Sequence, residues 1–322
     1  MLLIVLCHII AYLTFIPGHT FLSQVFNVGV FSFLAISGFL YGGKTVTDWP
    51  GWFRKRCGTV LLPALCITVI VLGIGLCSGN HPDGFSTVIY LLNLQGLAFV
   101  FPGLYRWFCE VQVLGPLWFI TVIILCYCMT PALQAFRNKI RGIRYGYLSA
   151  AGAMGIVFAV LILSGINTVY FLTFAFGYCM AARDCLKQAG WKQASLLTGG
   201  MLTAQISRLL LRAACDGTPF YQGYTQISQM ILGLWILLVF LWIGKCLPKL
   251  LGKLAAWKPV VVMDKISFYI YLTHCCFCKG PWNIYEHTDN ILLATVGFAG
   301  ATLLAATVLR TIAAKLQHCL DR

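Results

Sequence analysis

Two histidines within apolar sequence are the residues of this chain best suited to chemistry. His8 lies in "IVLCHIIAY" and His274 in "ISFYIYLTHCC". An ionisable side chain at membrane depth is costly and is usually kept for a function. Counted from the predicted cytoplasmic ends of their apolar runs, both lie roughly 12 Å deep. The matched depth predicts that the two imidazoles share one site. The alternative is that each only hydrogen-bonds a nearby backbone carbonyl.

Five arginines and lysines form a second set of candidates. Arg54, Lys55 and Arg56 lie in "WFRKRCGTVLLP", before a long apolar run. They suit the phosphates of a nucleotide-like cytosolic donor, although the orientation rule for membrane proteins also accounts for them. Arg208 and Arg212 are four residues apart, on one helix face near the predicted external end of their span. A ligand or lipid headgroups would explain this pair equally well.

One carboxylate and a run of cysteines complete the reactive residues. Glu110, just before "GPLWFI", is predicted to be external, with a surface role as its default interpretation. Most of the 15 cysteines lie inside apolar runs, where they act as small apolar fillers. In "HCCFC", Cys275 and Cys276 point to different helix faces, and no second Cys/His pair follows at zinc spacing. The spacing therefore predicts no metal site.

The stretch "NVGVFSFLAISGFLYGGK", residues 27–44, is apolar but repeatedly carries small residues. Gly38 and Gly42 form a small-xxx-small pair, which lets a neighbouring backbone approach closely. Ser37 adds a hydroxyl group beside this contact. We therefore expect this span to pack against another helix, and Lys44 to mark its cytoplasmic end.

Composition identifies the elements that must position these residues. Of the 322 residues, 60% are hydrophobic and 10% are charged, too little charge for a soluble protein of this size. The mean hydropathy is +0.84, and the apolar residues fall in runs of about 20, the length that crosses a bilayer. The sequence predicts a single all-α domain, residues 1–322, folded as a polytopic membrane helical bundle.

The net charge of +14 orients this bundle and does not indicate nucleic-acid binding. Most lysines and arginines fall in five short segments, separated by neutral or acidic links, which is the positive-inside pattern. With all five segments on one side, the pattern predicts ten spans, both termini in the cytoplasm, and residues 79–113 external or re-entrant. The predicted spans are 1–17, 25–43, 58–78, 114–136, 146–165, 168–182, 194–212, 226–246, 266–286 and 290–310.

The order of these motifs resembles acyltransferase family 3. A first-span histidine is followed by "VGVFSFLAISGFL", a basic "FRKR" before "LLP", "LWFI", and "ISFYIYLTH" near the end. Each motif alone would occur by chance, whereas their order, spacing and ten-span frame are fairly specific. The positions that match the family are His8, Ser37, Gly38, Phe39, Arg56, Trp118, Ser267, Tyr271 and His274.

The resemblance implies a bacterial inner-membrane O-acyltransferase. Such a protein takes an acyl group, usually acetyl, from cytosolic acyl-CoA and transfers it to an extracytoplasmic glycan. It implies His8 as the catalytic residue, with His274 beside it, and the small residues of "AISGFLYGG" would then also let the acyl chain approach the imidazole. A neutral imidazole can accept a proton from the acceptor hydroxyl or carry the acyl group covalently, and the sequence leaves both routes open.

Two positions depart from the family pattern. The family has an arginine eleven positions before the histidine, and only seven residues precede His8. The first span is also short, so we expect the chain to start part-way through the first span of the family pattern. In the family pattern R-x-x-R-x-x-x-P, Thr59 stands at the second arginine, while Arg56 and Pro63 are retained. Both departures bear on donor binding.

A different function class remains open from the sequence. Without the resemblance, ten spans with few buried charges would favour a solute transporter, or a subunit of a polysaccharide export complex. A transporter is expected to show inverted repeats and broken helices in matching positions. Neither is evident in the sequence, so acyl transfer is the preferred prediction.

Overall fold

A computed structural model of the chain shows an all-helical protein over the residues that it describes. The described residues are 2–13, 18–79, 81–107, 109–140, 152–153, 155–157, 160–161, 164–182, 191–288 and 290–320. The predicted span 146–165 falls largely outside them.

The α-helices are numbered here in chain order through the described residues. The first seven are α1 (Leu2–Tyr12), α2 (His19–Phe26), α3 (Val28–Gly42), α4 (Trp49–Cys77), α5 (Gly84–Leu91), α6 (Leu97–Val100) and α7 (Trp118–Ile140). The others are α8 (Val169–Ala182), α9 (Trp191–Cys215), α10 (Pro219–Cys246), α11 (Pro248–Ala256), α12 (Lys258–Thr273), α13 (Cys275–Cys278) and α14 (Ile291–Leu320). Short 3-10 helices cover Pro102–Trp107, Gln112–Leu117, Gly280–Trp282 and Ile284–Glu286.

Long apolar helices make this a helical membrane bundle. Within the described residues, five helical stretches are long and apolar enough to cross a bilayer, and the shorter apolar helix Val169–Ala181 accompanies them. The five are Leu22–Gly42, Trp49–Cys77, Gln112–Ile140, Pro219–Cys246 and Ile291–Leu320. The fold class predicted from composition is therefore confirmed, whereas the side of the membrane on which each end lies stays a prediction.

The predicted span 266–286 is wrong as one continuous helix. Helix α12 begins earlier, at Lys258, and ends at Thr273. Helix α13 covers Cys275–Cys278, and 3-10 turns follow. Gly280 explains why α-helical structure ends at Cys278, because its φ of +70° lies in the left-handed region that L side chains rarely adopt.

The apolar stretch 85–104 forms short helices, as expected for a segment that does not cross the membrane. Helix α5 ends near Asn93, whose φ of 54° turns the chain into the left-handed region. The Thr121 hydroxyl donates to the Asn93 carbonyl at 2.6 Å and accepts from the Gly96 amide at 3.1 Å. These buried bonds hold the break in place.

The chain divides into two compact units. The first comprises residues 1–26, 48–127 and 256–322, and the second comprises residues 27–47 and 128–255. The first unit contains α1, α4, α12, α13 and α14. The second contains α3, α8, α9 and α10.

In the second unit, α3 packs closely against α8 through its small residues. A methyl group added to Gly38 would overlap the Phe174 carbonyl oxygen, and one added to Gly42 would overlap the Tyr178 carbonyl oxygen. From α8, Gly177 meets the Ala35 carbonyl in the same way. The small-xxx-small prediction is therefore confirmed, and α8 is the helix that fills the groove.

Candidate active site: a buried histidine–cysteine cluster

The end of α12 places His274 in the interior of the first unit. The His274 amide donates to the Ile270 carbonyl at 2.9 Å, so the backbone stays helical through the junction with α13. The side chain is 0% exposed. Around it, Val5 of α1 packs with Cys275, Cys278 and Phe298 in an apolar core. The α12–α13 junction thus brings an imidazole into contact with the N-terminal helix.

Hydrogen bonds fix the tautomer of His274. Its Nδ1 lies 2.7 Å from the Tyr271 carbonyl oxygen, which only accepts, so Nδ1 carries the proton and donates. In the neutral ring Nε2 is then an acceptor. The Cys275 Sγ lies 3.3 Å from that Nε2, and its thiol donates to it. Cys278 in turn donates to Cys275 over 4.0 Å.

His8 from α1 lies directly against this ring. The two imidazole centroids are 5.2 Å apart, with the ring planes tilted by 39°. One donor atom from each of His8, His274 and Cys275 lies within 4.8 Å of the other two. His8 is only partly buried, unlike His274. The structure therefore brings together the two histidines that the sequence paired by depth, and it leaves His8 as the more accessible ring.

Tyr271 links this cluster to the start of α7. Its hydroxyl donates to the Pro116 carbonyl, and its ring centroid lies 6.0 Å from that of His274. Trp118, two residues further along, stacks on Phe99 with centroids 4.3 Å apart. Tyr271 is thus part of the histidine cluster, and Trp118 is packed against the segment that contains α6.

A cavity of about 700 Å³ with both apolar and polar lining lies in the first unit and contains Glu110 in its wall. The residues that line it are Val71, Leu72, Ile74, Gly75, Ser78, His81, Pro82, Asp83, Cys109, Glu110, Val111, Gln112, Val113, Gly280 and Trp282. Its size is typical of a small-molecule site.

Helix α5 holds Glu110 at this cavity by anchoring both of its chain neighbours. The Cys109 amide donates to the Ser86 hydroxyl at 2.7 Å, and the Val111 amide donates to the Tyr90 hydroxyl at 2.8 Å. Ser86 and Tyr90 are four apart and share one face of α5. The backbone on both sides of Glu110 is therefore fixed while its side chain remains exposed.

Asp83 supports this anchor as the N-cap of α5. Its carboxylate accepts from the Ser86 hydroxyl at 2.6 Å and from the Ser86 amide at 2.9 Å. These bonds favour the ionised form and lower the pKa of Asp83 to about 2. Sequence reasoning did not select Asp83, although an Asp three residues before Ser86 is a typical N-cap signal.

The predicted donor residues lie in the first two turns of α4. This helix begins at Trp49, with Asp48 as its N-cap accepting from the Gly51 amide at 3.0 Å. Arg54 and Lys55 are exposed, and Arg56 is partly buried. These side chains lie beyond the first turn, so it is their own charges, and not the helix dipole, that would attract an anion.

The other predicted pocket residues belong to the second unit. Arg208 is 3% exposed, and its Nε and Nη1 lack a hydrogen-bond partner among the described residues. Arg212 is less buried and pairs with Asp216 at 3.5 Å. The two arginines share a helix but not an environment. A buried guanidinium of this kind suits an anionic ligand, whereas Arg212 has a surface partner.

Ser37, Gly38 and Phe39 also lie in the second unit, on α3. We expected the small residues to leave room for an acyl chain. That expectation is wrong at Gly38 and Gly42, because α8 occupies the space beside both. Ser37 is buried and Phe39 is partly buried. At this face, the glycines serve helix packing.

Comparison with known proteins gives one family. The sequence model of acyltransferase family 3, described as an acyltransferase domain, matches residues 1–310 of the 322. The chain belongs to acyltransferase family 3. It is therefore a membrane acyltransferase. Comparison of the chain with the curated proteins and with the solved structures gave no significant match.

Cys275 is the member of the site that sequence reasoning missed. His274 and Cys275 are adjacent in "THCC", but the spacing typical of zinc sites requires a second Cys/His pair in the same stretch. The third donor, His8, comes instead from the other end of the chain. A spacing rule within one segment cannot detect such a set.

Proposed function

We propose that this family member transfers an acyl group, acetyl being the first to test, from cytosolic acyl-CoA to a hydroxyl of an extracytoplasmic saccharide. The bacterial cytoplasmic membrane is the proposed location, and a cell-envelope glycan is the proposed acceptor. The observation that carries the proposal is the contact between His8 and His274 in an otherwise apolar core, 5.2 Å from centroid to centroid.

His8 is proposed as the general base. It accepts the proton of the acceptor hydroxyl as that oxygen attacks the thioester carbonyl, so that a C–O bond forms and the C–S bond breaks. The coenzyme A thiolate leaves and takes up the proton from His8. A positioned base of this kind typically contributes about 10²–10⁴ in rate. The partial burial of His8 supports this role, because the acceptor must reach its ring.

His274 is proposed as a positioning residue. Its Nδ1 is engaged by the Tyr271 carbonyl and its Nε2 by the Cys275 thiol, so neither nitrogen is open to a substrate. Its fixed ring packs against the His8 ring and so holds the His8 ring in position. Replacing His274 should therefore weaken transfer less than replacing His8.

The cavity beside Glu110 supports a saccharide as acceptor. Sugar hydroxyls donate to carboxylates, and Glu110 lies between two anchored amides at the wall of that cavity. Gln112, His81 and the indole of Trp282 line the same space. These few polar groups, set among apolar side chains and one indole, suit a sugar, which presents both hydroxyl groups and apolar C–H faces.

The basic start of α4 supports a coenzyme A donor. Three consecutive cationic residues, Arg54, Lys55 and Arg56, follow the N-terminus of this helix. Phosphate groups form charge-assisted hydrogen bonds with such side chains, worth about 1.5–3 kcal/mol each. The phosphates of coenzyme A provide several acceptors of this kind.

Reconstituted protein tests the proposed activity directly. The chain in lipid nanodiscs, given radiolabelled acetyl-CoA and envelope saccharides, should release free coenzyme A and label the saccharide in equal amounts. Release without saccharide labelling contradicts the acceptor class. No release with acetyl-CoA or longer acyl-CoA esters contradicts the donor. Solute movement across proteoliposomes without acyl transfer would favour the transporter interpretation instead.

Rapid mixing with acetyl-CoA alone separates the two roles open to His8. With a general base, no burst of free coenzyme A appears until the saccharide is added. A burst of one coenzyme A per chain without saccharide, lost in His8→Ala, would replace the base mechanism with an acyl-histidine intermediate.

A further inference from the structure

We propose that His8, His274 and Cys275 form a binding site for a soft monovalent metal ion, with Cu(I) as the ion that best fits. Soft thiolate ligands favour Cu(I), and imidazole is also a good copper ligand. The proposal goes beyond acyl transfer, and the binding step does not depend on it.

The three donor atoms already converge. Each lies within 4.8 Å of the other two. Around a bound ion with metal–nitrogen and metal–sulfur distances near 2.0–2.3 Å, neighbouring donors would be about 3.5–4 Å apart. The Cys275 Sγ and His274 Nε2 are already 3.3 Å apart. The site therefore closes around an ion by small side-chain movements, with α1 moving little relative to α13.

His274 is oriented like a metal-bound histidine, with a hydrogen bond at one ring nitrogen that holds the imidazole in place. A ligating histidine usually donates its second ring N–H to a carbonyl or carboxylate, which fixes the ring. Here Nδ1 donates to the Tyr271 carbonyl at 2.7 Å, and the Nε2 lone pair points towards the Cys275 sulfur. Tyr271 is itself held by its bond to the Pro116 carbonyl.

Charge selects a monovalent ion over a divalent one. Two neutral imidazoles and one thiolate carry a total charge of −1, so that a monovalent ion gives a neutral complex. A divalent ion would leave one positive charge in an apolar core, which is costly. Lys279 lies close enough to act electrostatically on His8, His274 and Cys275, and it would oppose that extra charge.

Occupation of the site has a consequence for catalysis, and this step rests on the proposed function. The ion would use the lone pair of His8 that must otherwise accept the substrate proton. Binding also releases one proton, because the Cys275 thiol must ionise to become a ligand. Cu(I) should therefore inhibit acyl transfer by competing for His8.

Binding is tested first, without reference to activity. Purified full-length protein in nanodiscs is titrated with Cu(I) under reducing, anaerobic conditions against bathocuproine disulfonate. We expect one ion per chain to resist the chelator, and copper X-ray absorption to show two nitrogen neighbours and one sulfur neighbour. A sulfur-only environment, no retained copper, or tighter retention of Zn²⁺ than of Cu(I) would overturn the proposal.

Cysteine variants give matched controls within one short helix. Cys275→Ser should lower Cu(I) affinity at least tenfold, while Cys276→Ser should keep the wild-type affinity. Both side chains are buried and adjacent, but Cys276 lies outside the three-donor set. Cys278→Ser should also keep it, because a serine hydroxyl can donate to the Cys275 sulfur in place of the Cys278 thiol. Equal loss in all three variants would contradict the assignment of ligands, and gel filtration checks that each variant folds.

Inhibition is measured on the same proteins. Cu(I) should inhibit acetyl transfer by wild-type protein and Cys276→Ser at one equivalent per chain. For Cys275→Ser, the concentration needed for half inhibition should rise at least tenfold, whatever its starting rate. If the protein retains copper and transfers acetyl groups at an undiminished rate, the proposed inhibition is refuted, while the proposed binding site is supported. If acetyl transfer is absent from all proteins, the proposed function fails, and the copper titration still decides the metal site.

Discussion

His8 and His274 come from opposite ends of the chain, and their imidazole centroids lie 5.2 Å apart. Helix α1 supplies the first ring, and the junction of α12 with α13 supplies the second. The hydrogen bonds of His274 to Tyr271 and Cys275 fix one ring, and the other remains partly exposed. This asymmetry assigns different roles to two residues of the same type.

Two adjacent glycines offer a test of the α3–α8 contact. A methyl group at Gly42 would overlap the Tyr178 carbonyl, whereas one at Gly43 meets nothing within 4 Å. Gly42→Ala should therefore destabilise the protein by about 1–3 kcal/mol through overpacking. Gly43→Ala should be neutral. Thermal unfolding in detergent measures both, and equal melting temperatures for the two variants would contradict the packing.

The donor residues can be separated from ordinary surface charge. Arg56→Ala should raise the KM for acyl-CoA about tenfold or more, because a charge-assisted hydrogen bond to phosphate is worth about 1.5–3 kcal/mol. Lys249→Ala and Lys253→Ala are the controls, since both remove an exposed basic residue from α11. If the control variants raise KM as much as Arg56→Ala, the start of α4 is not a donor site.

The acceptor cavity predicts a selective effect of Glu110. Glu110→Gln keeps the shape of the side chain and removes its charge, so we expect a rise of about five- to thirtyfold in the acceptor KM at unchanged acyl-CoA KM. This range follows from about 1–2 kcal/mol, the difference between a charged and a neutral hydrogen bond. Asp216→Asn, which removes an exposed carboxylate paired with Arg212, should leave both constants unchanged. A wild-type acceptor KM in Glu110→Gln would place the acceptor elsewhere.

The Asp83 cap on α5, which helps to hold the segment around Glu110, should depend on pH. The Ser86 bonds lower the pKa of Asp83 from 3.8 to about 2. A lowered folded-state pKa stabilises the α5 cap above pH 3.8, and this contribution is lost as pH falls towards 2. Asp83→Ala should therefore speed hydrogen exchange at the Ser86 and Cys109 amides at pH 7, with the difference from wild type shrinking below pH 3.8. A difference that persists unchanged at pH 2 would contradict the cap.

Sequence patterns predicted those parts of the molecule that local rules determine. Run length and charge identified the long membrane helices, and the spacing of Gly38 and Gly42 identified a tight helix contact. The depth argument also paired His8 with His274. Each of these inferences uses information carried within one segment, or a depth that the bilayer imposes on every segment.

Tertiary contacts determine the features that the sequence did not reveal. The end of the α-helix at Cys278 depends on the left-handed backbone of Gly280, and the left-handed turn at Asn93 is held by Thr121 from another segment. Cys275 joins the site only because α1 packs beside it. No spacing rule relates residues so far apart in sequence, and the structure was needed to find them.

The rate of saccharide acetylation by His8→Ala tests the central claim most directly. The measurement compares wild type, His8→Ala and His318→Ala in nanodiscs at saturating acetyl-CoA, with gel filtration as the check on folding. His318 is an exposed histidine in the last turn of α14 and is the matched control. We predict a loss of at least 10²-fold in kcat for His8→Ala, as expected for removal of a general base, and no change for His318→Ala. A folded His8→Ala protein that transfers acetyl groups at the wild-type rate would contradict the account.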